Sequence, residues 1–435
     1  MQTPPFHVAT RPFSITPNEL AFFEQLGHCL LSFYQAANKL YINSVQGEKP
    51  CWVAEYLDFG KPESVIAYGR MNRFRKDLPG VIRPDLILTE AGMIATELDS
   101  VPGGIGLTLK LCASYKDASF VGGTHGLRDG FARMVRSLHT NDNPCLAIVV
   151  SEESRDYHSE MDYLGEAINH IGLTTFVIDP SEVVFTEEGL FVDRNKSRHR
   201  IDILYRFFEL FDLKNIPKSE LILYAAKKKQ VVLTPPPKPQ LEEKLLFALF
   251  HHPVLKSFWK NNLGVETVSV LTKLFPKTWI LDPRPLPPHA IIPGLFIGDC
   301  PVSNFRDLEH LSQKERQFVI KPSGFSEMAW GSRGVLVGHD LSEENFQKGL
   351  EMALHRFYTT PHILQDFHKG RQVETEYMEN DTPIQMKGRA RLSPYYFVEH
   401  GKPILSGILA TICPLDKKLI HGMSDAVMMP CAVSE

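Results

Sequence analysis

The chain has 435 residues, of which 43% are hydrophobic and 23% are charged, and its net charge is −4. This length exceeds what one ordinary hydrophobic core supports, so we expect two or three packed subdomains. The small negative charge argues against nucleic acid as a partner. No apolar run reaches the roughly eighteen residues that a transmembrane helix needs. The seven scattered cysteines form no CxxC pair and are typical of reduced thiols in a cytoplasmic protein.

The first clear element is a helix over residues 17–40. Its apolar residues recur at helical spacing, with Phe22, Leu26 and Phe33 on one stripe, so we expect it to pack against a core. Asn18 is a candidate N-cap.

Residues 81–99 predict a β-hairpin. Two extended runs flank Glu90-Ala91-Gly92, and a three-residue loop that ends in glycine suits a turn whose last residue has positive φ. This loop length places Asp85 opposite Glu97 and Arg83 opposite Asp99. Because side chains alternate along a strand, these four residues share one face, and apolar residues that include Ile94 share the other.

The crowded carboxylates of this hairpin predict a cation site. Opposed acids repel each other across strands, so we interpret Asp85, Glu97 and Asp99 as ligands of Mg²⁺, which prefers oxygen and bridges nucleotide phosphates. Arg83 beside them suits an anionic group in transfer. Without metal, crowding should raise at least one carboxyl pKa, and neutralising Glu97 should leave the fold intact or more stable. The alternative is an exposed face with cross-strand ion pairs, and Pro84 indicates an edge strand or a bulge.

Residues 143–235 alternate short β-rich runs with helical stretches. This order predicts a small parallel α/β domain. Pro235-Pro236-Pro237 is a plausible boundary. The predicted divisions of the chain are therefore 1–142, 143–235 and 236–435.

The pattern after Leu241 is α+β, and it carries candidate phosphate-binding groups. Lys244 lies on a predicted helix, where the alternative is a solvated lysine. A strand that ends in Lys321 leads into a loop containing the small residues Gly324, Gly331, Ser332 and Gly334. Backbone N–H groups in such a loop can cradle phosphate oxygens, and the lysine adds positive charge. The loop is not a Walker loop, since GxxxxGK[ST] is absent.

Three further strands are predicted at 362–367, 385–397 and 404–412, and we expect them in one antiparallel sheet. Gln365 and Phe367 on the first strand could bind adenine through backbone groups, although on this pattern alone a plain core strand is the favoured explanation. Arg389 and Arg391 share one strand face and could bind phosphates or carboxylates. A solvated strand face is the alternative for the two arginines.

Together these motifs resemble circularly permuted ATP-grasp proteins, in particular the synthetase domain of glutathionylspermidine synthase. Arg83-Pro84-Asp85 and the later Glu97-Leu98-Asp99 are similar to the family's Arg-x-Asp and Glu-x-Asn at the same spacing. Ile320-Lys321-Pro322 resembles its Lys-Pro before a glycine loop, and Glu243-Lys244 resembles its Asn-Lys helix. Leu364–Phe367 resembles its hinge strand. Two departures are Asp99 in place of asparagine and a longer loop after Lys321.

The resemblance implies an ATP-grasp-like fold that is circularly permuted, with residues 143–235 as the pre-ATP-grasp domain. It implies an ATP- and Mg²⁺-dependent ligase that joins a small-molecule or peptide carboxylate to an amine through an acyl phosphate. ATP would contact Lys244, Lys321, the glycine loop, Gln365 and Phe367, and Mg²⁺ would contact Asp85, Glu97 and Asp99. Arg83, Arg389 and Arg391 would stabilise the transferred group. The alternatives are a non-catalytic nucleotide-binding homologue or partner subunit, and an interaction scaffold without nucleotide.

Overall fold

The computed structural model describes residues 6–116, 119–417, 419–420 and 425–434. It is a mixed α/β protein with parallel and antiparallel sheets, which confirms the predicted class. In the described ranges, no helix is long and apolar enough to cross a membrane. The α-helices are α1 (Pro17–Val45), α2 (Trp52–Asp58), α3 (Glu63–Arg70), α4 (Ile105–Ser114), α5 (Gly126–Ser137), α6 (His158–His170), α7 (Ser219–Lys227), α8 (Leu245–His251), α9 (Lys256–Leu274) and α10 (Glu343–His355).

Within the described residues, the strands form five sheets. They are β1 (His7–Val8), β2 (Phe13–Ile15), β3 (Val81–Thr89), β4 (Gly92–Asp99), β5 (Leu146–Val150), β6 (Thr175–Ile178), β7 (Val184–Thr186), β8 (Gly189–Arg194), β9 (Ser197–Arg200), β10 (Ile203–Phe207), β11 (Val232–Thr234), β12 (Thr278–Ile280), β13 (Phe296–Ile297), β14 (Cys300–Pro301), β15 (Phe318–Pro322), β16 (Leu336–Val337), β17 (His362–Asp366), β18 (Gln372–Glu379), β19 (Thr382–Glu399), β20 (Lys402–Pro414) and β21 (Val427–Val433).

The largest sheet has eight strands, and its main path runs β1-β21-β20-β19-β3-β4. Helix α1 packs on it through the predicted apolar stripe, and the Tyr396 hydroxyl donates to Phe23 O at 2.7 Å. The helix begins at Pro17, as predicted, but its N-cap lies two residues before the predicted cap. Thr16, not Asn18, is the N-cap, because its side chain and that of Glu19 form a reciprocal capping box.

The hairpin of β3 and β4 lies at one end of this sheet, and β4 is its edge strand. The predicted three-residue loop is wrong, because Thr89 pairs with Gly92. A β-bulge between Asp85 and Leu86 then shifts the register, so Asp85 does pair with Glu97. Between the turn and the bulge, the side chains of β4 therefore point to the face opposite to the predicted one, whereas those of β3 keep the predicted face.

Four strands form a parallel sheet in the order β11-β10-β5-β6, and all of them lie within the predicted range 143–235. Apolar cores cover both faces, which explains why β5 is a continuous apolar run. One of these cores also includes residues of α4, α5 and the large sheet, so it crosses the predicted division at 142/143.

A second antiparallel sheet has the order β12-β17-β15-β16, and it shares a core with α10. The prediction that residues 362–367 join the two later strands in one sheet is wrong, because β17 pairs with β12 and β15 instead. Helix α8 begins at Leu245, which leaves Lys244 at its N-cap position. The start is set by Ser323, whose Oγ accepts from Leu245 N at 2.9 Å.

Candidate functional site

A cavity of about 550 Å³ lies between the hairpin end of the large sheet and the four-stranded antiparallel sheet. The hairpin, β15, β17, β19 and the loop after Lys321 all contribute to its lining. This arrangement brings together predicted site residues from distant parts of the chain. Those in the lining are Asp85, Glu97, Lys244, Lys321, Ser332, Gln365, Phe367, Arg389 and Arg391.

Both candidate phosphate lysines lie close enough to Glu97 to interact with its charge. Lys244 Nζ lies 3.2 Å from Glu97 Oε2, and Lys321 Nζ donates to Thr96 O at 2.8 Å. Burial opposes ionisation of Glu97, but the charges of Lys244, Lys321 and Arg83 outweigh it and hold the pKa of Glu97 at about 2. Burial lowers the pKa of Lys321 to about 8, against the pull of Glu97. Glu97 therefore faces cations rather than the crowded acids that the sequence predicts.

Asp85 is fully engaged by neighbouring side chains. Arg83 Nε lies 3.0 Å from its Oδ1, and Arg391 Nη1 lies 3.0 Å from its Oδ2. Ser393 Oγ donates to Oδ1 at 2.9 Å. Because both oxygens have partners and the residue is 1% exposed, Asp85 holds the two arginines in position while lining the cavity.

Arg83 and Asp99 lie beside the cavity rather than in its lining. Arg83 Nη2 lies 3.0 Å from Asp99 Oδ2, and Arg83 Nη1 donates to Gly103 O at 3.1 Å. Asp99 Oδ1 also accepts from Val101 N at 2.8 Å. Burial raises the pKa of Asp99, with Arg83 opposing this and Glu97 and Asp85 adding to it. The expectation of one raised carboxyl pKa is thus met, although burial is its first cause.

The predicted set of three metal carboxylates does not assemble. Among the residues that the structure describes, no three His, Cys, Asp or Glu side chains form a group that could hold a metal ion. The physical reason is that Arg83 separates Asp85 from Asp99, while Lys244 occupies Glu97. An Mg²⁺ ion that arrives with nucleotide phosphates needs only one or two carboxylates. Glu97 and Asp85 line the cavity and fit that smaller requirement.

The loop after Lys321 closes one side of the cavity. Ala329 O accepts from Lys244 Nζ at 3.1 Å, and Gly331 and Ser332 both have φ of +61°. A Cβ on Gly334 would lie 2.7 Å from Met328 O, so only glycine fits there. Gly324, Gly331 and Gly334 shape the loop without lining the cavity, whereas Ser332 lines it.

A buried network that the sequence analysis missed holds the start of this loop. Lys61 Nζ lies 2.6 Å from Glu243 Oε1, and the two side chains are 1% and 2% exposed. Ser323 Oγ donates to Glu243, and Lys244 N donates to Ser323 O at 2.8 Å. Glu243 was noted only as the neighbour of Lys244, and no pattern around Lys61 indicated a partner so distant in the chain.

The other end of the cavity contains the predicted hinge strand. Gln365 is buried, and its Nε2 donates to Thr278 Oγ1 at 3.1 Å. Phe367 N donates to Gln317 O at 2.9 Å, and its ring contacts His339 at 4.4 Å between centroids. Asp366, another residue that the analysis missed, lies in the same lining, and burial raises its pKa to about 6.

The basic side chains on β19 differ in their surroundings. Arg389 and Arg391 line the cavity, and Arg389 Nη1 donates to Leu415 O at 2.9 Å. Lys387 on the same strand is instead exposed and lies 3.3 Å from Glu374.

No protein-family model and no curated protein matches the sequence. The fold is similar to that of a glutathione synthetase-like effector from Globodera pallida in its apo form. That alignment has a TM-score of 0.57 at 12% identity and covers 100% of this chain and 91% of the other. A candidate γ-glutamylcysteine synthetase from Methylobacillus flagellatus aligns over 87% of each chain at 12% identity, with a TM-score of 0.45. At this identity the first likeness shows a common fold, and the second supports no argument.

Proposed function

We propose that this chain is an ATP- and Mg²⁺-dependent ligase that joins a carboxylate to an amine through an acyl phosphate, on a circularly permuted ATP-grasp fold. The observation that carries the proposal is the convergence of Lys244 and Lys321 on Glu97 inside one cavity. Its volume of about 550 Å³ lies within the usual range for small-molecule sites. The name of the Globodera pallida neighbour, a glutathione synthetase-like effector, is in keeping with this class of fold.

The lining residues divide into three tasks. Lys244 and Lys321 bind phosphate oxygens, while the strand segment Gln365–Phe367 binds the adenine. Glu97 would offer oxygens to Mg²⁺ that enters with the nucleotide, and Asp85 would do so once Arg391 turns from it to the phosphoryl group. Arg389 and Arg391 stabilise the phosphoryl group and the substrate carboxylate. ATP supplies the phosphoryl group that activates the carboxylate, and the chain contributes positioning and electrostatic stabilisation.

In the ligand-free protein, Lys244 and Lys321 bond to oxygens whose places phosphate oxygens can take. Each lysine already has an oxygen partner: Ala329 O and Glu97 for Lys244, and Thr96 O for Lys321. Glu97 can release Lys244 to phosphate oxygens when a divalent cation takes over part of its negative charge, and the same change weakens the electrostatic pull of Glu97 on Lys321. Binding should therefore require nucleotide and metal together.

A second candidate is a nucleotide-binding protein without catalysis. The observation that favours it is the complete engagement of Asp85 by Arg83, Arg391 and Ser393, which leaves Glu97 as the more available carboxylate. A site with one available carboxylate can bind Mg·ATP yet fail to hold the metal in a catalytic position.

Release of ADP and phosphate separates these functions. Wild type is incubated with Mg·ATP, a panel of carboxylic acids and a panel of amines, and each panel is then omitted in turn. A ligase releases ADP only when an acid is present, and amide formation additionally needs the amine. Stabilisation by Mg·ATP without turnover would support the binding protein. Mg·ATP at a hundred times a typical Kd should raise the free energy of unfolding by about 2.7 kcal/mol. If it has no such effect, the remaining hypothesis is an interaction scaffold that binds no nucleotide.

A further inference from the structure

The parallel sheet has a topological switch point at the carboxyl ends of β5 and β10, and we call the region outside these strand ends the crevice. The chain passes from β5 outward to β6, and then returns past β5 to β10 and β11. The connections therefore leave in opposite directions between β5 and β10. Ligands of open parallel sheets bind outside the carboxyl ends of the strands at such a switch point. The proposed ATP cavity lies between other sheets and does not use this crevice.

The crevice adjoins the hairpin through Tyr157, which follows β5. The ring of Tyr157 lies against Gly103, where a Cβ would be only 2.2 Å from its Cε1. Gly103 O accepts from Arg83 Nη1 at 3.1 Å and from the Tyr395 hydroxyl at 2.9 Å. The carboxyl edge of the parallel sheet and the Arg83–Asp99 pair thus form two walls of one region.

Glu209, directly after β10, supplies a carboxylate without a partner. Within the described residues its side chain makes no hydrogen bond or ion pair, and the residue is partly exposed. Its charged neighbours are Glu242, Asp99, Arg206 and Lys244. Glu242 is already paired with the fully buried Arg206. Burial, followed by Glu242 and Asp99, raises the pKa of Glu209 to about 8 against the opposing charges of Arg206 and Lys244, as expected for a carboxylate without a direct ion pair.

Three buried hydroxyls in the same region also have no partner among the residues described. They are the Oγ of Ser151, at the end of β5, and the phenol groups of Tyr205 and Tyr34. Ser151 is 3% exposed and the two tyrosines are 0% exposed. Burial raises the pKa of both phenols and Asp99 adds to the effect, which places them near Asp99. A buried polar group without a protein partner usually bonds to a water, an ion or a ligand.

We propose that this crevice binds a protonated primary amine, with Glu209 accepting the ammonium charge and Asp99 contributing to the negative potential. The inference rests on the proposed ligase function, for which this amine would be the second substrate. Lys244 links the two sites, since it contacts Glu97 in the ATP cavity and lies within electrostatic range of Glu209. Asp99 then serves the amine subsite rather than the metal, in agreement with its place outside the cavity lining.

The test measures ammonium binding separately from nucleotide binding. Titration calorimetry is performed with ethylammonium and 1,4-diaminobutane, with butane-1,4-diol as the neutral counterpart of the diamine. The proteins are wild type, Glu209→Gln, Glu209→Asp and the control Glu187→Gln, which alters an exposed glutamate in the turn between β7 and β8. We expect 1,4-diaminobutane to bind about ten- to a hundredfold more weakly to Glu209→Gln, as for loss of a charged hydrogen bond. Glu209→Asp should retain part of the affinity, and Glu187→Gln all of it.

Two results would overturn the inference. One is equal affinity of 1,4-diaminobutane for wild type and Glu209→Gln; the other is no preference of wild type for the ammonium probes over butane-1,4-diol. Mg·ATP affinity is measured on the same samples and should not change in Glu209→Gln. If wild type does not bind Mg·ATP, the proposed function is contradicted, whether or not the ammonium probes bind.

Discussion

Replacement of Lys321 by methionine separates the energetics of the fold from those of the ligand. Lys321 is 6% exposed, and burial lowers its pKa from 10.5 to about 8. This shift corresponds to about 3 kcal/mol of cost for burying the charged form. Methionine removes that cost but also removes the bond to Thr96 O, worth about 1–3 kcal/mol. We therefore expect the free energy of unfolding at neutral pH to change by less than about 2 kcal/mol.

The lowered pKa of Lys321 also predicts the direction in which stability changes with pH. Between the lowered folded pKa of about 8 and the ordinary 10.5, the unfolded state binds more protons at Lys321 than the folded state. Wild-type stability should consequently rise with pH across this window, by about 3 kcal/mol from this group, relative to Lys321→Met. Urea denaturation of both proteins at pH 8 and pH 10 measures the difference, since the other titrating groups are common to both.

The same variant should lose Mg·ATP affinity. A charge-assisted contact to phosphate contributes about 1.5–3 kcal/mol, so the Kd should rise about ten- to a hundredfold in titration calorimetry. Lys387→Met is the matched control, because Lys387 is an exposed lysine whose side chain is 67% accessible. Normal Mg·ATP affinity in Lys321→Met would refute the assignment of this lysine to phosphate, and an equal loss in Lys387→Met would indicate a non-specific charge effect.

Three further changes test neighbouring contacts. Glu97→Gln should destabilise the ligand-free protein by about 1–2 kcal/mol at pH 7 in urea denaturation, because the pKa of Glu97 lies near 2, below its usual 4.5. That stability is present above pH 4.5 and should be lost as the pH falls towards 2, so a more stable variant would contradict the contacts of Glu97 with lysine. Gly334→Ala should cost about 1–3 kcal/mol in thermal unfolding and weaken Mg·ATP binding, since its Cβ meets Met328 O at 2.7 Å. Mg·ATP should change the fluorescence of Trp330 by drawing Lys244 from Ala329 O, and Trp330→Phe should abolish that change.

The hairpin shows both the reach and the limit of sequence analysis. The predicted loop length placed Asp85 opposite Glu97, and the two residues do pair, although the turn is one residue shorter than predicted. The bulge at Thr96 compensates for the turn, and Pro84 was its signal in the sequence. Compensation is incomplete nearer the turn, where Ile94 lines the cavity instead of packing in the core. Periodicity identifies faces but does not count residues through an irregularity.

Local signals and distant contacts differed in how far they could be predicted. The capping box of Thr16 and Glu19 is visible in the sequence, so the choice of Asn18 was an avoidable error. The attraction of Glu97 to Lys244 was not accessible in the same way, because it depends on the start of α8 lying next to strand β4 in the folded chain. Without that contact, the sequence favoured repulsion among acids and hence the wrong sign for Glu97→Gln. Lys61 and Glu209 likewise acquire their roles only from tertiary packing.

A crystal structure with Mg²⁺ and a non-hydrolysable ATP analogue would show whether the cavity is the nucleotide site. We predict the phosphates within hydrogen-bond distance of Lys244 Nζ and Lys321 Nζ, Mg²⁺ between the phosphates and Glu97, and the base beside Gln365 and Phe367. The bond between Lys244 and Ala329 O should be broken in that complex. Nucleotide bound at another surface, or phosphates that contact neither lysine, would contradict the account.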